Sequence, residues 1–137
     1  MDLYAFKIYM LDVGLLLAMT DLDASVIIDG NRIFTEFKGA LTEQYVLQQM
    51  IAELGVEPYY YTTANSTGEI DFMLQAPGSV IPVEVKAEEN LKAKSLRSYY
   101  DKFKPDKVFR TSMSDYRKQD WLVNLPLYAL ANFRSLE

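Results

Sequence analysis

The sequence predicts a single α/β domain, a central mixed sheet of four to five strands flanked by helices. Three observations carry this: a long stretch of helical spacing before residue 55, three consecutive strand-like runs between 58 and 86, and a return to helical spacing followed by short strands. The length of 137 residues fits one domain with room for a core, and a composition half apolar and about a quarter charged is that of a globular chain.

Phe6 to Leu11 ("FKIYML") is short and rich in large apolar side chains, which predicts a strand or a buried extended segment. Asp12 can cap "VGLLLAM", read as a short buried helix ending near Thr20, and residues 20–31 are an acidic loop. From Ile33 to Leu54 the apolar positions Ile33, Phe37, Leu41, Tyr45, Val46, Met50 and Leu54 recur every three or four residues. This is the longest predicted helix, with Glu36, Glu43 and Gln44 off its apolar stripe, Gly39 as a point of bending or splitting, and Gly55 closing it. "PYYYTT", "EIDFML" and "VIPVEVK" give three strands. Leu91 to Phe103 is helical in spacing and Pro105 stops it. "KVFRTS" is a fourth strand, Trp121 to Leu125 a fifth, and "PLYALANF" a final helix with proline at its start.

Cysteine and histidine are both absent, which removes disulfides, thiolate zinc sites, iron–sulfur clusters and His-based triads. Catalysis would have to use carboxylates, lysine, arginine, tyrosine or hydroxyls, and any metal would be hard and oxygen-liganded. The net charge of -5 is unevenly spread. Residues 1–85 hold three Lys/Arg against twelve Asp/Glu, whereas 86–118 hold ten against five. The second segment is where a phosphate backbone would lie if the partner is nucleic acid, the plainer alternative being a solvated amphipathic helix. The run "YMLDVGLLLAM" is broken by Asp12, has few basic residues before it and is too short to span a bilayer. The expectation is therefore no membrane and a cytoplasmic location; the oligomeric state is open.

The hairpin "GEIDFMLQAPGSVIPVEVK" raises the main functional question. Ile70, Phe72 and Leu74 share one face and Ile81, Val83 and Val85 another, so Glu69, Asp71 and Met73 fall together with Pro82, Glu84 and Lys86 on the polar side. If "APGS" is the turn, Ala76 pairs with Ser79, Asp71 lies opposite Glu84, and Glu69 opposite Lys86 as an ion pair. Opposed carboxylates repel, and a divalent cation turns that repulsion into coordination. Glu43 on the preceding helix is a third acid, and Lys86 points the same way as Glu84, suited to polarising a water. The polar face of a solvated hairpin is the competing reading. The tyrosines of "PYYYTT" and Tyr99–Tyr100 read as packing before base stacking.

Asp71 followed by Glu84-Val85-Lys86 resembles the Asp, Glu-x-Lys signature of the PD-(D/E)XK, or restriction-endonuclease-like, superfamily. More narrowly, "KIYMLDVGLL", "GALTEQYVLQQM", "GEIDF", "VIPVEVKA" and "NLPLYAL" resemble the nuclease-like C-terminal domain of unknown function of prokaryotic AAA+-type ATPases, over nearly the whole chain. The resemblance implies a restriction-endonuclease-like core and Mg²⁺, with Mn²⁺ as substitute, bound by Asp71 and Glu84. It implies further that Lys86 positions the water, that Glu43 is an acid near the metal, and that Lys94 and Ser95 contact phosphate. Nucleic acid would be the substrate. In that family a P-loop ATPase and a winged-helix segment normally precede the domain; no Walker loop occurs here, which implies a fragment or a stand-alone copy over residues 1–137. A non-catalytic nuclease-fold module, serving as the interaction or regulatory domain of such an ATPase, is the alternative.

Overall fold

The computed structural model describes residues 6–21, 32–63, 68–87 and 93–136. The expected acidic loop at 20–31 and the start of the second predicted helix near Leu91 fall largely outside these. Helix α1 (Val13–Met19) is capped by Asp12, whose carboxylate accepts from the Leu15 amide at 2.8 Å. Helix α2 (Arg32–Gln49) runs unbroken across Gly39 and continues as a π-helical turn, Met50–Leu54. Gly55 ends it in the left-handed region at φ 61°, donating its amide to the Ile51 carbonyl at 3.1 Å.

The strands are β1 (Tyr59–Thr62), β2 (Glu69–Ala76), β3 (Ser79–Lys86), β4 (Phe109–Ser112), β5 (Arg117–Lys118) and β6 (Val123–Pro126). They form one mixed sheet in the order β1-β2-β3-β4-β6-β5. β1, β2 and β3 pair antiparallel, β3, β4 and β6 parallel, and β5 returns antiparallel on β6. Helix α3 (Lys94–Phe103) lies between β3 and β4 in the chain, the helical crossover that parallel neighbours require. A 3₁₀ helix, Leu127–Leu136, follows β6. The sixth strand beyond the expected four to five is β5, two exposed polar residues that carry no apolar period.

Both faces of the sheet are covered. On one, Val46, Met50 and Leu54 of α2 and its π turn meet Phe72, Leu74, Ile81, Val83, Val85, Phe109 and Leu125, with Leu130 and Phe133 of the 3₁₀ helix closing the layer. On the other, Leu96 of α3 packs on Ile70, Met73, Val108 and Leu122, flanked by Tyr61, Tyr99, Tyr100 and Trp121. The edge-on contact of Tyr61 and Tyr99 at 5.1 Å belongs to this packing.

Several expectations are corrected here. Met73 and Glu84, assigned to a polar face, are buried because α3 covers that side. Ile70 lies under α3, on the face opposite Phe72 and Leu74, so the alternation of β2 slips at Asp71. The Gln44 side chain, expected off the buried stripe, is buried and bonds the backbone of Met10 at 2.8 and 2.9 Å. Residues 6–10 form no strand, and Phe6, Ile8 and Leu11 are exposed, as are Leu15 and Met19 of α1, which buries none of its residues. No helix among the described residues is long and apolar enough to cross a membrane.

Candidate functional site

The turn fixes the hairpin as the sequence predicts. Ala76 pairs with Ser79 and the register holds back to Phe72 opposite Val83. Beyond that pair the ladder stops, because the β1–β2 register shifts between Tyr59/Tyr61 and a bulge turns Asp71 and Phe72 to the same side of β2. The Asp71 carboxylate then accepts from the Val85 amide at 2.8 Å, the place a strand carbonyl would otherwise take. Asp71 and Glu84 are therefore not directly opposed as expected. Alternation of β3 turns Glu84 toward the α3 side, between Val83 and Val85 of the α2 layer.

On the α2 side, Asp71 shares a cluster with Glu43 and Glu69 around one ammonium, that of Lys7. Its Nζ lies 3.2 Å from Glu43, 2.5 Å from Glu69 and 3.4 Å from Asp71. The Tyr9 hydroxyl donates to Glu43 at 3.1 Å. Burial would pull the Lys7 ammonium down, but Glu69, Asp71 and Glu43 outweigh it and hold it well above its usual value. Burial, and then the Glu43 and Glu84 charges, push the Asp71 carboxyl up to about 6, against the Val85 amide and Lys7, which favour its ionised form. Burial raises the Tyr9 hydroxyl, so it acts as a neutral donor.

On the α3 side, neighbouring strands carry a row of polar residues in register: Glu84 beside Arg110, Arg110 beside Asn124, and Arg117 of β5 beside Asn124. Arg110 Nε and Ser112 Oγ both donate to Asn124 Oδ1 at 2.9 Å, while Asn124 Nδ2 donates to the carbonyls of Ser114 and Asp115 at 3.2 and 2.9 Å. Burial draws the Arg110 guanidinium down from its ordinary value, opposed by Glu84. Lys86 meets Glu84 Oε1 at 2.6 Å with its side chain about a third exposed. Glu84 itself is 5% exposed, and among the described residues no donor reaches its Oε2. The expected Glu69–Lys86 pair is thus replaced by Glu69–Lys7 and Glu84–Lys86.

Lys94 is exposed at the start of α3, and Ser95 lines a cavity of about 90 Å³ with Gly68 and Glu69, so the helix start borders the acidic end of β2. The structure thus gathers Asp71, Glu43 and Glu69 on one side, and Glu84 and Lys86 on the other side of the gap that Asp71 bridges. Sequence reasoning missed Lys7 and the Arg110–Asn124 pair. Lys7 had a signal: it is one of three Lys/Arg in the first 85 residues. Among the described residues no three acids stand close enough to hold a metal ion together. Two carboxylates with water and phosphate oxygens are an ordinary Mg²⁺ shell, however, and the buried Glu84 oxygen is an acceptor of the right chemistry.

The molecule is therefore a mixed α/β domain with acids and lysines gathered where β2 and β3 separate, at the carboxyl end of its parallel strands, the edge where open α/β sheets commonly take ligands. Residues 38–130 match the family described as "Domain of unknown function (DUF4143)", and the chain belongs to that family. Comparison with curated proteins and with solved structures gave no match.

Proposed function

We propose that the domain is a nuclease-like, metal-dependent phosphodiesterase of restriction-endonuclease-like fold acting on nucleic acid. The observation that carries the reading is a buried Glu84 whose second oxygen meets no donor among the described residues, with Lys86 on the same carboxylate and Asp71 held by a bulge on the neighbouring strand. Asp71 and Glu84 would hold Mg²⁺ or Mn²⁺, which when bound would supply charge neutralisation to the scissile phosphate. Lys86, partly exposed and anchored by Glu84, would hold the attacking water. Glu43, next to Asp71 around Lys7, would take part as a nearby acid, and Lys94 and Ser95 at the start of α3 would contact phosphate. The full-length partner implied by the family resemblance is an AAA+-type ATPase.

A second reading has its own support. Each acid named here already meets an ammonium, Lys7 or Lys86, which suits a non-catalytic interaction or regulatory module. The test is cleavage of labelled single- and double-stranded DNA and RNA with Mg²⁺ or Mn²⁺. Wild type is expected to cut at least one, and Asp71→Ala and Glu84→Ala to lose cutting while keeping their circular dichroism. Cutting that survives both substitutions would refute the catalytic assignment, and no cutting by wild type would favour the module.

A further inference from the structure

We infer that the cleft between α3 and the amino ends of β4 and β6 takes one base of a single-stranded nucleic acid. The inference rests on the nucleic-acid reading of the domain and uses neither its acids nor its metal. The cleft is a cavity of about 310 Å³, within the size range of small-ligand sites. Val108, Phe109, Leu122 and Val123, at the start of β4 and β6, give it an apolar lining. Three aromatic rings join them: Tyr100 and Trp121, with centres 5.5 Å apart, and Tyr116, which is 51% exposed. Tyr100 and Trp121 are only partly buried; each packs on the core under α3 and also lines the cleft.

Cations gather at these rings. The Arg97 guanidinium lies 4.9 Å from the centre of Trp121 and 5.6 Å from that of Tyr100, and the Lys104 ammonium 4.8 Å from Tyr100. Arg97 and Lys104 share a single carboxylate, that of Asp101, so the three together keep positive charge, and both cationic side chains are more than half exposed. Lys118, on the exposed strand β5, brings a further cation to the lining. Rings interleaved with cations suit a single strand, whose bases stack on the rings while its phosphates meet the charges. A duplex keeps its base faces inside its own stack, out of reach of a cleft of this size. Asp106 and Asp120 also line the cleft, and a carboxylate acceptor fits the amino-bearing edge of a base. An acidic peptide would use the cations but would be repelled by these two acids. The same helix leads to the candidate site: Ser95, about 8 Å along the axis from Tyr100, shares a cavity with Glu69. A strand anchored in the cleft can therefore run along the exposed Arg97 and Lys94 toward the acids.

Trp121 is the chain's only tryptophan, so its fluorescence reports on the cleft directly. The test is titration of a short DNA single strand of mixed sequence into the protein in EDTA, beside the same sequence as a duplex and a Glu-rich peptide. The single strand is expected to quench Trp121 saturably, and the duplex and the peptide to leave it unchanged. Tyr116→Ala, at an exposed position, is expected to weaken binding about tenfold, and Lys118→Ala to weaken it and flatten its salt dependence. No quenching, equal quenching by duplex or peptide, or binding by both variants equal to wild type overturns the inference, and cutting by wild type with Mg²⁺ would then leave the nuclease reading standing. Saturable quenching by the single strand alone, from a protein that cuts nothing, upholds the cleft and overturns the nuclease reading.

Discussion

The two sides of the β2–β3 gap solve the same problem, charge near a core, in opposite ways. On the α3 side Arg110 is buried and bound through Asn124 to neighbours on the same sheet, within a span of some fifteen residues (residues 110–124). On the α2 side Asp71, Glu43 and Glu69 depend on an ammonium delivered by Lys7, 36 residues from Glu43 and 64 from Asp71, on a segment outside any regular element. The first arrangement is part of the fold, since removing it leaves buried donors short of an acceptor. The second joins the sheet to a distant part of the chain through one side chain.

That contrast can be broken most forcefully at Asn124. Asn124→Ala removes one acceptor shared by Arg110 and Ser112, and the expected loss in urea unfolding is about 1 to 3 kcal/mol, the cost of leaving buried donors short of a hydrogen bond. A loss below about 1 kcal/mol would mean that the row is no more fixed than the Lys7 cluster.

Asp71→Asn sharpens the other side. The Asp71 carboxyl in the folded chain sits at about 6 against an ordinary 3.8, so the folded state holds its proton more tightly than the unfolded one. Ionised Asp71 is therefore a cost that is absent below about pH 4, grows as pH rises toward 6 and is constant above. The asparagine keeps an acceptor for the Val85 amide without the charge. It is expected to stabilise the domain at pH 7 by roughly 1 to 2 kcal/mol, after allowance for the lost Lys7 attraction, with the gain vanishing near pH 4. Equal unfolding curves at both pH values would contradict the burial and charge assigned to Asp71.

The smallest effect lies in the turn. Gly78 has φ 76°, following Pro77, as a type II turn demands, and a methyl group there would meet open space. Gly78→Ala should thus cost only backbone strain, about 1 kcal/mol in thermal unfolding, without changing metal binding. A change in metal binding would mean that the turn, and not the bulge, sets the position of Asp71.

Much of the fold was legible because period and punctuation agree. The Leu41–Val46–Met50–Leu54 stripe is buried as its spacing predicts, and Ala76–Ser79 pins the hairpin register. The bulge was not legible, since Ile70, Phe72 and Leu74 read as one clean face and only three-dimensional pairing shows Ile70 on the other. Alternation also says nothing about a polar residue such as Glu84 when a second helix layer covers its side. The acids and lysine of the candidate site, Asp71, Glu84, Lys86 and Glu43, could be named from the sequence. Their partners could not, because Lys7 comes from a remote apolar segment whose large side chains suggested burial and are mostly exposed.

The most direct measurement is a crystal structure of the domain soaked in Mn²⁺, with anomalous differences collected at the manganese edge. The expected result is a peak touching Asp71 and Glu84. A map with no peak at these carboxylates would contradict it.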